Sequence, residues 1–478
     1  MTQTVAEAPT DVLDRLKAVV GPSGYLDDPE EMAPYCIGWR DRWNGRAALV
    51  LRPASTAEVA EIVRICAEHR VAIVPQGGNT GLTGAGQPHE HGEEVIVSMG
   101  RMKRIREVDP LNDTLTVEAG VVLAEAQRAA DGIDRLFPLS LAAEGSCQIG
   151  GNLGTNAGGT QVLRYGNTRS LVLGLEVVLP DGRVWNGLRG LRKDSTGYDM
   201  KQLFIGSEGT LGIITAAVLR LFPKPTDAQT AMAAVPDPEA SVRLLAHLRK
   251  ELGEAVTAFE LMGRICLDHA FAYLEGHEDP FDAPHDWYVL TEVTGQGAPG
   301  TLHDPLAEAL AAAFEDGLVR DAVVAASGDQ AHKLWSIREE QADAQKPAGA
   351  SIKHDVSVPV SRVAAFLAKA DAALEAAYPG IRPVSFGHVG DGNMHYNPLR
   401  PEDWDDAVFA AEREKVNRIV HDIAVDLGGS ISAEHGIGRL RLDEAEIYKP
   451  AEELDMMRAI KRALDPHNIM NPGKMIRV

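Results

Sequence analysis

The sequence carries its clearest structural signal in two glycine-rich stretches, Pro75-Gln76-Gly77-Gly78-Asn79-Thr80-Gly81 and Gly145-Ser146-Cys147-Gln148-Ile149-Gly150-Gly151-Asn152-Leu153-Gly154-Thr155-Asn156-Ala157-Gly158-Gly159. The first follows the apolar run Val71–Val74, which Pro75 ends, so we expect a loop directly after a buried strand. Glycines in such a loop let several backbone N–H groups approach a pyrophosphate, because no Cβ stands in the way. The second stretch combines glycines with Asn and Thr and carries no charge, which is not typical of a solvated linker.

The first stretch excludes two common nucleotide-binding motifs. It lacks the Gly-Lys-Ser/Thr ending of a P-loop, so a P-loop nucleotidase is disfavoured. It also lacks the G-x-G-x-x-G pattern opening a helix, so a Rossmann dinucleotide fold is disfavoured.

Helix and strand signals alternate around these stretches. The residues 56–69 predict a helix, which Thr56 could cap and whose apolar face holds Val59, Ile62, Val63 and Cys66. Further short strands are predicted at 94–98, 114–118, 171–179, 183–186 and 213–221, with a turn at Pro180-Asp181-Gly182. The proline pair Pro223 and Pro225 indicates a domain boundary.

Beyond that boundary the pattern changes to longer helices between strands. Strands are predicted at 229–235, 256–261, 287–293, 322–326 and 352–358, and Ala/Leu-rich helices at 239–252, 305–317 and 360–378. This alternation predicts an α+β layer with helices on one face of a sheet. From about Pro450 a further helix leads into the polar tail DPHNIMNPGKM.

Composition narrows the classes of function. At 478 residues the chain is long enough for two to four domains of roughly 150 residues. Its 47 Lys+Arg against 69 Asp+Glu give a net charge of −22, which argues against nucleic-acid binding and against a basic membrane-binding surface. The sequence shows no transmembrane run and no secretion signal, and its four cysteines are irregularly spaced, so we expect reduced thiols in a cytoplasmic protein.

The glycine-rich stretches belong to an ordered series of motifs. PQGGNTG at 75–81 is followed by GSCQIGGN at 145–152, TNAGG at 155–159, SEGTLGII at 207–214 and NPGK at 471–474. This series resembles the vanillyl-alcohol-oxidase-type flavoproteins, and among them the FAD-dependent dehydrogenases of D-2-hydroxyglutarate, D-lactate and glycolate. The resemblance implies a two-part FAD-binding domain at 1–225, an antiparallel-sheet cap domain for the substrate at 226–449, and a segment 450–478 that returns to the FAD domain.

The resemblance also implies which residues bind FAD: Pro75, Gln76, Gly77, Gly78, Asn79, Thr80, Gly81, Leu82, Gly145, Ser146, Gly150, Gly151, Asn152, Thr155, Asn156, Gly158, Glu208, Gly209, Gly212, Ile213, Ile214 and Asn471. Relatives that tether the flavin covalently often carry a histidine after the paired glycines of the first loop. This chain has Asn79 there, so we expect non-covalent FAD.

A third cluster, Ser385–Asn397, contains His388 and His395. A two-residue hairpin turn at Asp391-Gly392 would set the two histidines directly opposite each other, with Cβ atoms roughly 4.5–5.5 Å apart. Such a pair can share a divalent ion at roughly 2.0–2.1 Å from each nitrogen, and a looser bend would serve as well. A single histidine in an apolar segment is usually a hydrogen-bonded core residue. Here the two histidines and the glycine-rich bend between them occur in the order found in the resembling family, which favours a metal.

The resemblance supplies the rest of this site. It implies that Glu434 is the third metal ligand beside His388 and His395, and that His435 is catalytic. Two histidines and a glutamate with an open position are typical of a catalytic zinc site. Zn²⁺ is expected, and Mn²⁺, Co²⁺ or Fe²⁺ would also fit these donors.

Three further residues are implied to bind substrate. Arg338 and Lys353 match the cations that bind a substrate carboxylate, and Asn397 matches a donor to the carboxylate beside the reacting carbon. Dicarboxylate enzymes carry a hydroxyl residue four positions after that arginine, where this chain has Ala342. One hydrogen bond to the far carboxylate, worth roughly 1.5–3 kcal/mol, is absent there, so D-lactate or glycolate stays open as the substrate.

We therefore expect FAD-dependent, metal-assisted oxidation of a D-2-hydroxy acid, in the first place D-2-hydroxyglutarate to 2-oxoglutarate, with His435 as general base. A separate electron acceptor is expected, with electron transfer flavoprotein, a quinone, a cytochrome and oxygen all open, and a homodimer is expected by analogy. Two functions of other classes are a His/Glu metal hydrolase, which would be colourless, and a non-catalytic flavin carrier, which no hydroxy acid would bleach.

Overall fold

The computed structural model describes residues 9–39 and 43–478. It comprises two compact units, and the first is built from the chain up to Gly158, from Asn167–Pro223 and from Glu434–Val478. The second is built from Gly159–Gly166 and Lys224–Ala433. The chain thus passes from the first unit to the second after Pro223 and returns after Ala433. The predicted boundaries were 225 and 449, so the first lies close to the observed one and the second lies too far along the chain.

Numbered along the chain, the helices are α1 (Thr10–Val20), α2 (Pro29–Cys36), α3 (Thr56–His69), α4 (Leu123–Asp131), α5 (Ile149–Thr155), α6 (Val162–Tyr165), α7 (Lys201–Phe204), α8 (Pro238–Leu252), α9 (Arg264–Tyr273), α10 (His303–Glu315), α11 (Gly328–Glu339), α12 (Gln341–Ala344), α13 (Val363–Ala377), α14 (Asp406–Ala411), α15 (Arg413–Asp426), α16 (Leu442–Tyr448) and α17 (Ala451–Leu464). The strands are β1 (Tyr25–Leu26), β2 (Leu49–Leu51), β3 (Ile73–Gln76), β4 (Val95–Ser98), β5 (Ile105–Asp109), β6 (Thr114–Glu118), β7 (Arg135–Leu136), β8 (Val172–Val178), β9 (Val184–Gly187), β10 (Ile213–Arg220), β11 (Phe222–Pro223), β12 (Asp227–Val235), β13 (Val256–Gly263), β14 (Trp287–Gly295), β15 (Asp321–Val324), β16 (His354–Ser357), β17 (Arg382–His388) and β18 (Asn393–Leu399).

The first unit contains two principal sheets. One has the order β1-β2-β4-β3, with β2, β4 and β3 parallel, and packs its apolar side chains against α1 and α3. The other is the antiparallel sheet β5-β6-β10-β8-β9. Together they give the mixed helix-and-sheet FAD-domain class that the sequence predicts.

Helix α3 has the predicted bounds but not the predicted cap. The Ser55 side chain accepts a hydrogen bond from the Glu58 N–H at 3.2 Å, so Ser55 is the N-cap. The Thr56 hydroxyl instead donates to Glu176 at 2.6 Å. Since Ser and Thr are both good caps, the residue types did not determine which of them caps the helix.

The C-terminal segment runs beside β3. The Ile73 N–H donates to the Ile469 carbonyl at 2.7 Å, and the Asn471 N–H donates to the Ile73 carbonyl at 2.8 Å. The tail therefore returns to the strand that precedes the first glycine-rich loop.

The second unit is built on an antiparallel sheet with the order β15-β12-β14-β13-β17-β18-β16. Because strand side chains alternate between faces, Ala233 of β12 joins the core under α8, α10, α13 and α15, while Ala234 joins the opposite core under α9 and α11. The predicted helices do pack on one face, but α9 and α11 cover part of the other, which corrects the expectation of helices on one face alone.

Among the described residues, no helix combines the length and apolar character that crossing a bilayer requires.

Candidate active site

The first glycine-rich loop is fixed by two side-chain amides. Gln76, the buried last residue of β3, donates through Nε2 to the carbonyls of Tyr35 and Gly86 at 2.8 and 2.7 Å. Asn79 has φ +57° and donates through Nδ2 to Pro34 and Ile37 at 3.0 and 2.9 Å. Four side-chain hydrogen bonds therefore tie the predicted loop to the neighbouring chain at 34–37 and at Gly86.

The second stretch packs directly on the first. A Cβ on Gly78 would lie 2.2 Å from the Ser146 carbonyl oxygen, so only glycine fits where the two loops meet. Residues of this stretch form the short helix α5, which Asn156 ends in a left-handed conformation with φ +54°. The two stretches that the motif series associates with one ligand thus form one surface.

The SEGTLGII motif at 207–214 and the C-terminal tail also contact these two stretches. The Glu208 N–H donates to the Gly154 carbonyl at 2.8 Å, which connects the SEGTLGII motif to the glycine-rich stretch 145–159. The buried Asn471 side chain donates to the carbonyls of Ala85 and Glu208 at 3.0 and 2.7 Å. Asn471 therefore links three separate parts of the first unit.

These loops fit the dinucleotide that the resemblance implies. Within the described residues, no atom would lie within 4 Å of a Cβ on Gly81, Gly145 or Gly151, so the glycines leave backbone accessible. In the same part of the chain, Gln148 Oε1 and Asn471 Oδ1 are buried and have no hydrogen-bond partner. Buried polar atoms are normally paired, so these two acceptors suit donors on a bound ligand.

The loop that carries Glu434 and His435 is anchored on the same unit. The Thr83 hydroxyl donates to the His435 carbonyl at 3.3 Å, and the Arg439 N–H donates to the Thr83 carbonyl at 2.9 Å. Glu208 accepts from the N–H groups of Ile437 and Gly438 at 2.7 and 2.8 Å. Burial raises the pKa of Glu208 to about 7, while these two N–H donors act in the opposite direction.

The predicted register of the histidine hairpin is wrong by two residues. His388 pairs with Asn393, and His395 pairs with Phe386, so the turn spans the four residues 389–392. The turn is wide because Gly392, with φ +83°, exchanges contacts with Val358: it accepts from the Val358 N–H at 3.0 Å, and a Cβ would lie 1.9 Å from the Val358 oxygen.

A shift of two residues leaves both histidines on one face, because strand side chains alternate with period two. The ring centroids of His388 and His395 are 5.5 Å apart, with an angle of 77° between the planes. His395 Nδ1 lies 3.9 Å from the buried Asp355 carboxylate. The two histidines therefore offer ring nitrogens within 4.8 Å of one another, although the residues are not directly opposed.

Glu260, which was not among the predicted site residues, joins His388 to Arg338. Its Oε1 lies 2.6 Å from His388 Nδ1, and its Oε2 accepts from Arg338 Nε at 2.8 Å. Burial opposes the charge of Glu260, but His388 and Arg338 outweigh it and lower its pKa to about 2. Two residues predicted for separate tasks thus share one carboxylate.

The other predicted substrate residues also lie in the second unit. Asn397 is buried, donates to Gln345 Oε1 at 3.1 Å and accepts from the His354 N–H at 3.3 Å. Lys353 directly precedes β16, the strand that pairs with β18. The first unit contains the predicted FAD residues together with Glu434 and His435. The second unit contains the other predicted site residues, which are His388, His395, Arg338, Lys353 and Asn397.

The signal for Glu260 is present in the sequence. It is the one charged residue within the segment Val256–Leu261, which was predicted as a strand. A carboxylate buried in a strand needs a cationic or hydrogen-bonding partner, so it marks a polar site. Gln345 and Thr83 have no comparable signal, since their roles arise only from tertiary contacts.

A second group of residues with metal-binding side chains has its carboxylate engaged by protein partners. His89, His91 and Glu94 offer atoms within 4.8 Å of one another. However, Glu94 Oε1 lies 2.9 Å from His89 Nδ1 and 3.2 Å from the buried Lys474 ammonium. Burial lowers the pKa of Lys474 to about 8, with Glu94 acting against it. This cluster anchors the NPGK tail, since Lys474 follows Gly473 in that motif.

Comparison with known proteins agrees with this architecture. The family described as FAD linked oxidases, C-terminal domain, matches residues 224–475, and the FAD binding domain family matches residues 47–187. A probable mitochondrial D-2-hydroxyglutarate dehydrogenase of Oryza sativa subsp. indica is 40% identical over 98% of this chain and 82% of its own length. A D-2-hydroxyglutarate dehydrogenase of Xanthomonas citri pv. viticola is 40% identical over 94% of this chain and 93% of its own length.

A solved structure shares the fold. p-Cresol methylhydroxylase with substrate bound superposes with a TM-score of 0.74 at 18% identity, covering 98% of this chain and 96% of that one.

Proposed function

The chain belongs to the D-2-hydroxyglutarate dehydrogenases among the FAD-linked oxidases, and from this premise we propose that it oxidises D-2-hydroxyglutarate to 2-oxoglutarate with FAD. One observation supports the proposal most directly. The cation proposed for a substrate carboxylate, Arg338, and the proposed metal ligand His388 are bound to the two oxygens of Glu260. A hydroxy-acid site must bind a carboxylate and activate a hydroxyl group that lie close together on one substrate. Arg338 and a metal on His388 would do these two tasks next to each other, which supports the proposal.

FAD would be held by the loops of the first unit. The backbone of Gly77–Gly81, the second glycine-rich stretch and Asn471 would contact the dinucleotide, and Gln148 Oε1 would accept from it. When bound, FAD would supply the acceptor for one hydride, which carries the two electrons of the oxidation. Asn79 uses its amide on Pro34 and Ile37, which suits a scaffolding role and non-covalent binding of the flavin.

A divalent metal, in the first place Zn²⁺, would be held by His388, His395 and Glu434. Two imidazoles and a carboxylate suit Zn²⁺ and also Mn²⁺, Co²⁺ and Fe²⁺. The 5.5 Å spacing of the histidine rings supports a shared ligand position. When bound, the metal supplies Lewis-acid polarisation of a substrate oxygen.

The protein's own groups then orient the substrate and move its proton. His435 takes the hydroxyl proton on a ring nitrogen as general base. Arg338 binds a carboxylate through its Nη groups, because its Nε is engaged by Glu260. Asn397, whose amide orientation is fixed by Gln345 and His354, donates its remaining N–H to the other carboxylate, and Lys353 adds a second cation.

Substrate identity within this class depends on the position four residues after Arg338, which is Ala342. Ala342 of α12 cannot donate a hydrogen bond, so a second carboxylate would depend on Arg338 and Lys353. This feature favours D-lactate or glycolate as the alternative substrate of the same site.

Anaerobic bleaching of the bound flavin tests the proposal. D-2-hydroxyglutarate should reduce the flavin absorbance within one turnover, while the L enantiomer should not. Faster bleaching by D-lactate or glycolate would assign the alternative substrate, and no bleaching by any of them would reject the function. Reoxidation of the reduced enzyme by a quinone analogue, electron transfer flavoprotein or oxygen would then identify the acceptor.

A further inference from the structure

We propose that Glu260 is a positioning residue that aligns the metal ligand His388 and the substrate cation Arg338 at the same time. The inference rests on the proposed function, since it assigns Glu260 a part in that reaction. Glu260 lies on β13, His388 at the end of β17 and Arg338 in the last turn of α11. One carboxylate thus connects three separate elements.

The contact to His388 fixes which nitrogen faces a metal. A carboxylate accepts hydrogen bonds, so the proton of His388 lies on Nδ1, 2.6 Å from Glu260 Oε1. The lone pair is then on Nε2, on the far side of the ring. A carboxylate behind a metal-binding histidine fixes the ring orientation and raises the basicity of the ligand, and its loss typically weakens metal binding 10–100-fold.

The contact to Arg338 fixes the direction of the guanidinium. Glu260 uses only Nε, at 2.8 Å, and within the described residues no protein atom accepts from either Nη. The guanidinium carbon lies 4.8 Å from the centre of the Phe386 ring, which supports one side of the cation. Arg338 is only 7% exposed, so its orientation is set by these two contacts.

A purely structural ion pair would not need this geometry. Buried ion pairs can often be replaced by apolar groups without loss of stability, because the desolvation penalty offsets the attraction. Here each oxygen of a single buried carboxylate serves a different partner, and each partner is proposed to contact a different part of the active site. The positioning role therefore predicts changes in metal binding and substrate binding that stability alone would not produce.

Glu260→Gln and Glu260→Asp test the role. Gln keeps the size but can accept from only one of the two partners, and Asp keeps the charge but shortens the reach by one carbon. In purified, FAD-loaded protein, competition of Zn²⁺ with a chelator should show 10–100-fold weaker binding in both variants. Their KM for D-2-hydroxyglutarate should rise at least 10-fold.

Glu292→Gln is the matched control. Glu292 lies on the neighbouring strand β14, opposite Ala258, and accepts from Trp335 of α11 at 3.3 Å. It therefore tests removal of a carboxylate from the same sheet next to the same helix. Its Zn²⁺ affinity and KM should stay within 3-fold of those of the unaltered protein.

The outcomes separate the two levels of the proposal. If the unaltered protein binds Zn²⁺ and oxidises D-2-hydroxyglutarate, but folded Glu260→Asp keeps its Zn²⁺ affinity and KM, the positioning role is wrong. If Glu292→Gln weakens Zn²⁺ binding equally, the effect is one of general stability and the role is also wrong. If the unaltered protein neither binds Zn²⁺ nor oxidises the acid, the proposed function fails before Glu260 is tested.

Discussion

The carboxylate of Glu208 accepts a hydrogen bond from the backbone N–H of Gly438 at 2.8 Å. Its other oxygen accepts from the Ile437 N–H at 2.7 Å. The SEGTLGII motif, which contains Glu208, therefore holds the loop that carries Glu434 and His435. Because a Cβ on Gly436 would lie 2.4 Å from Glu208 Oε1, the glycine lets the loop approach this carboxylate closely.

Glu208→Gln should remove a pH-dependent part of stability. The folded pKa of Glu208 is raised to about 7 from 4.5, so protonation favours the folded state and this contribution is lost as pH rises through about 7. The difference corresponds to about 3 kcal/mol as an upper bound. The Tm of the unaltered protein minus the Tm of Glu208→Gln should be larger at pH 5 than at pH 8.5. The exposed Glu254→Gln serves as control, and a pH-independent Tm difference would contradict the pKa shift.

Acid precipitation should release all flavin into the supernatant. Asn79 stands where covalent relatives carry histidine, and its amide is engaged with Pro34 and Ile37. The measurement is the flavin absorbance of pellet and supernatant. A pellet that stays yellow after washing would show a covalent bond.

Metal removal should abolish substrate oxidation and spare the flavin spectrum. His388 and His395 lie in the second unit, whereas the flavin loops lie in the first. His388→Ala and Glu434→Ala should behave like chelated enzyme, with metal content measured by elemental analysis. His303→Ala, at a partly exposed histidine of α10, should keep full activity. Full activity in metal-free enzyme would leave the three ligands a structural role only.

His435→Asn should lower kcat by roughly 10²–10⁴, the usual range for a lost general base. The carbonyl of His435 accepts from Thr83 through the backbone, so the loop anchor is unaffected by the side chain. FAD and metal contents should therefore remain normal. A kcat within 3-fold of the unaltered enzyme would assign the base to another residue.

Arg338→Lys should raise KM more than it lowers kcat. Lysine keeps a cation near Glu260 but loses the planar fork that binds a carboxylate through two Nη groups. If Arg338 binds the distal carboxylate, KM for D-2-hydroxyglutarate should rise at least 10-fold while D-lactate is little affected. Equal losses for both substrates would place Arg338 at the carboxylate beside the reacting carbon and indicate a monocarboxylate enzyme.

The sequence predicted those features that depend on local chemistry. Helix α3 has its predicted bounds because its apolar spacing repeats every three to four residues, and β6 likewise ends where its alternating run ends. The turn after His388 was misjudged because Asp391-Gly392 is a strong local signal that the contact of Gly392 with Val358 overrides. Val358 directly follows β16 and is distant from Gly392 in sequence, so no local pattern reports the contact.

In the candidate site, too, some residues could be predicted from local sequence and others only from tertiary contacts. His388 and Arg338 could be named from their motifs, but Glu260, which lies between them, belongs to neither motif. It could be suspected as a buried charge, yet its two partners are 128 and 78 residues away along the chain. Sequence spacing therefore identifies the chemical groups, and only the folded sheet identifies what aligns them.

The pairing of the tail with β3 has a consequence for protein synthesis. Ile469 and Met470 belong to the same apolar core as Ile73, while residues 224–433 form a compact unit inserted between the parts of the first. A ribosome that has released the chain up to Ala433 has therefore delivered every residue of the second unit, but not those that complete the edge of β3. The order of translation should let the inserted unit mature first and leave the edge of β3 uncovered until the tail emerges.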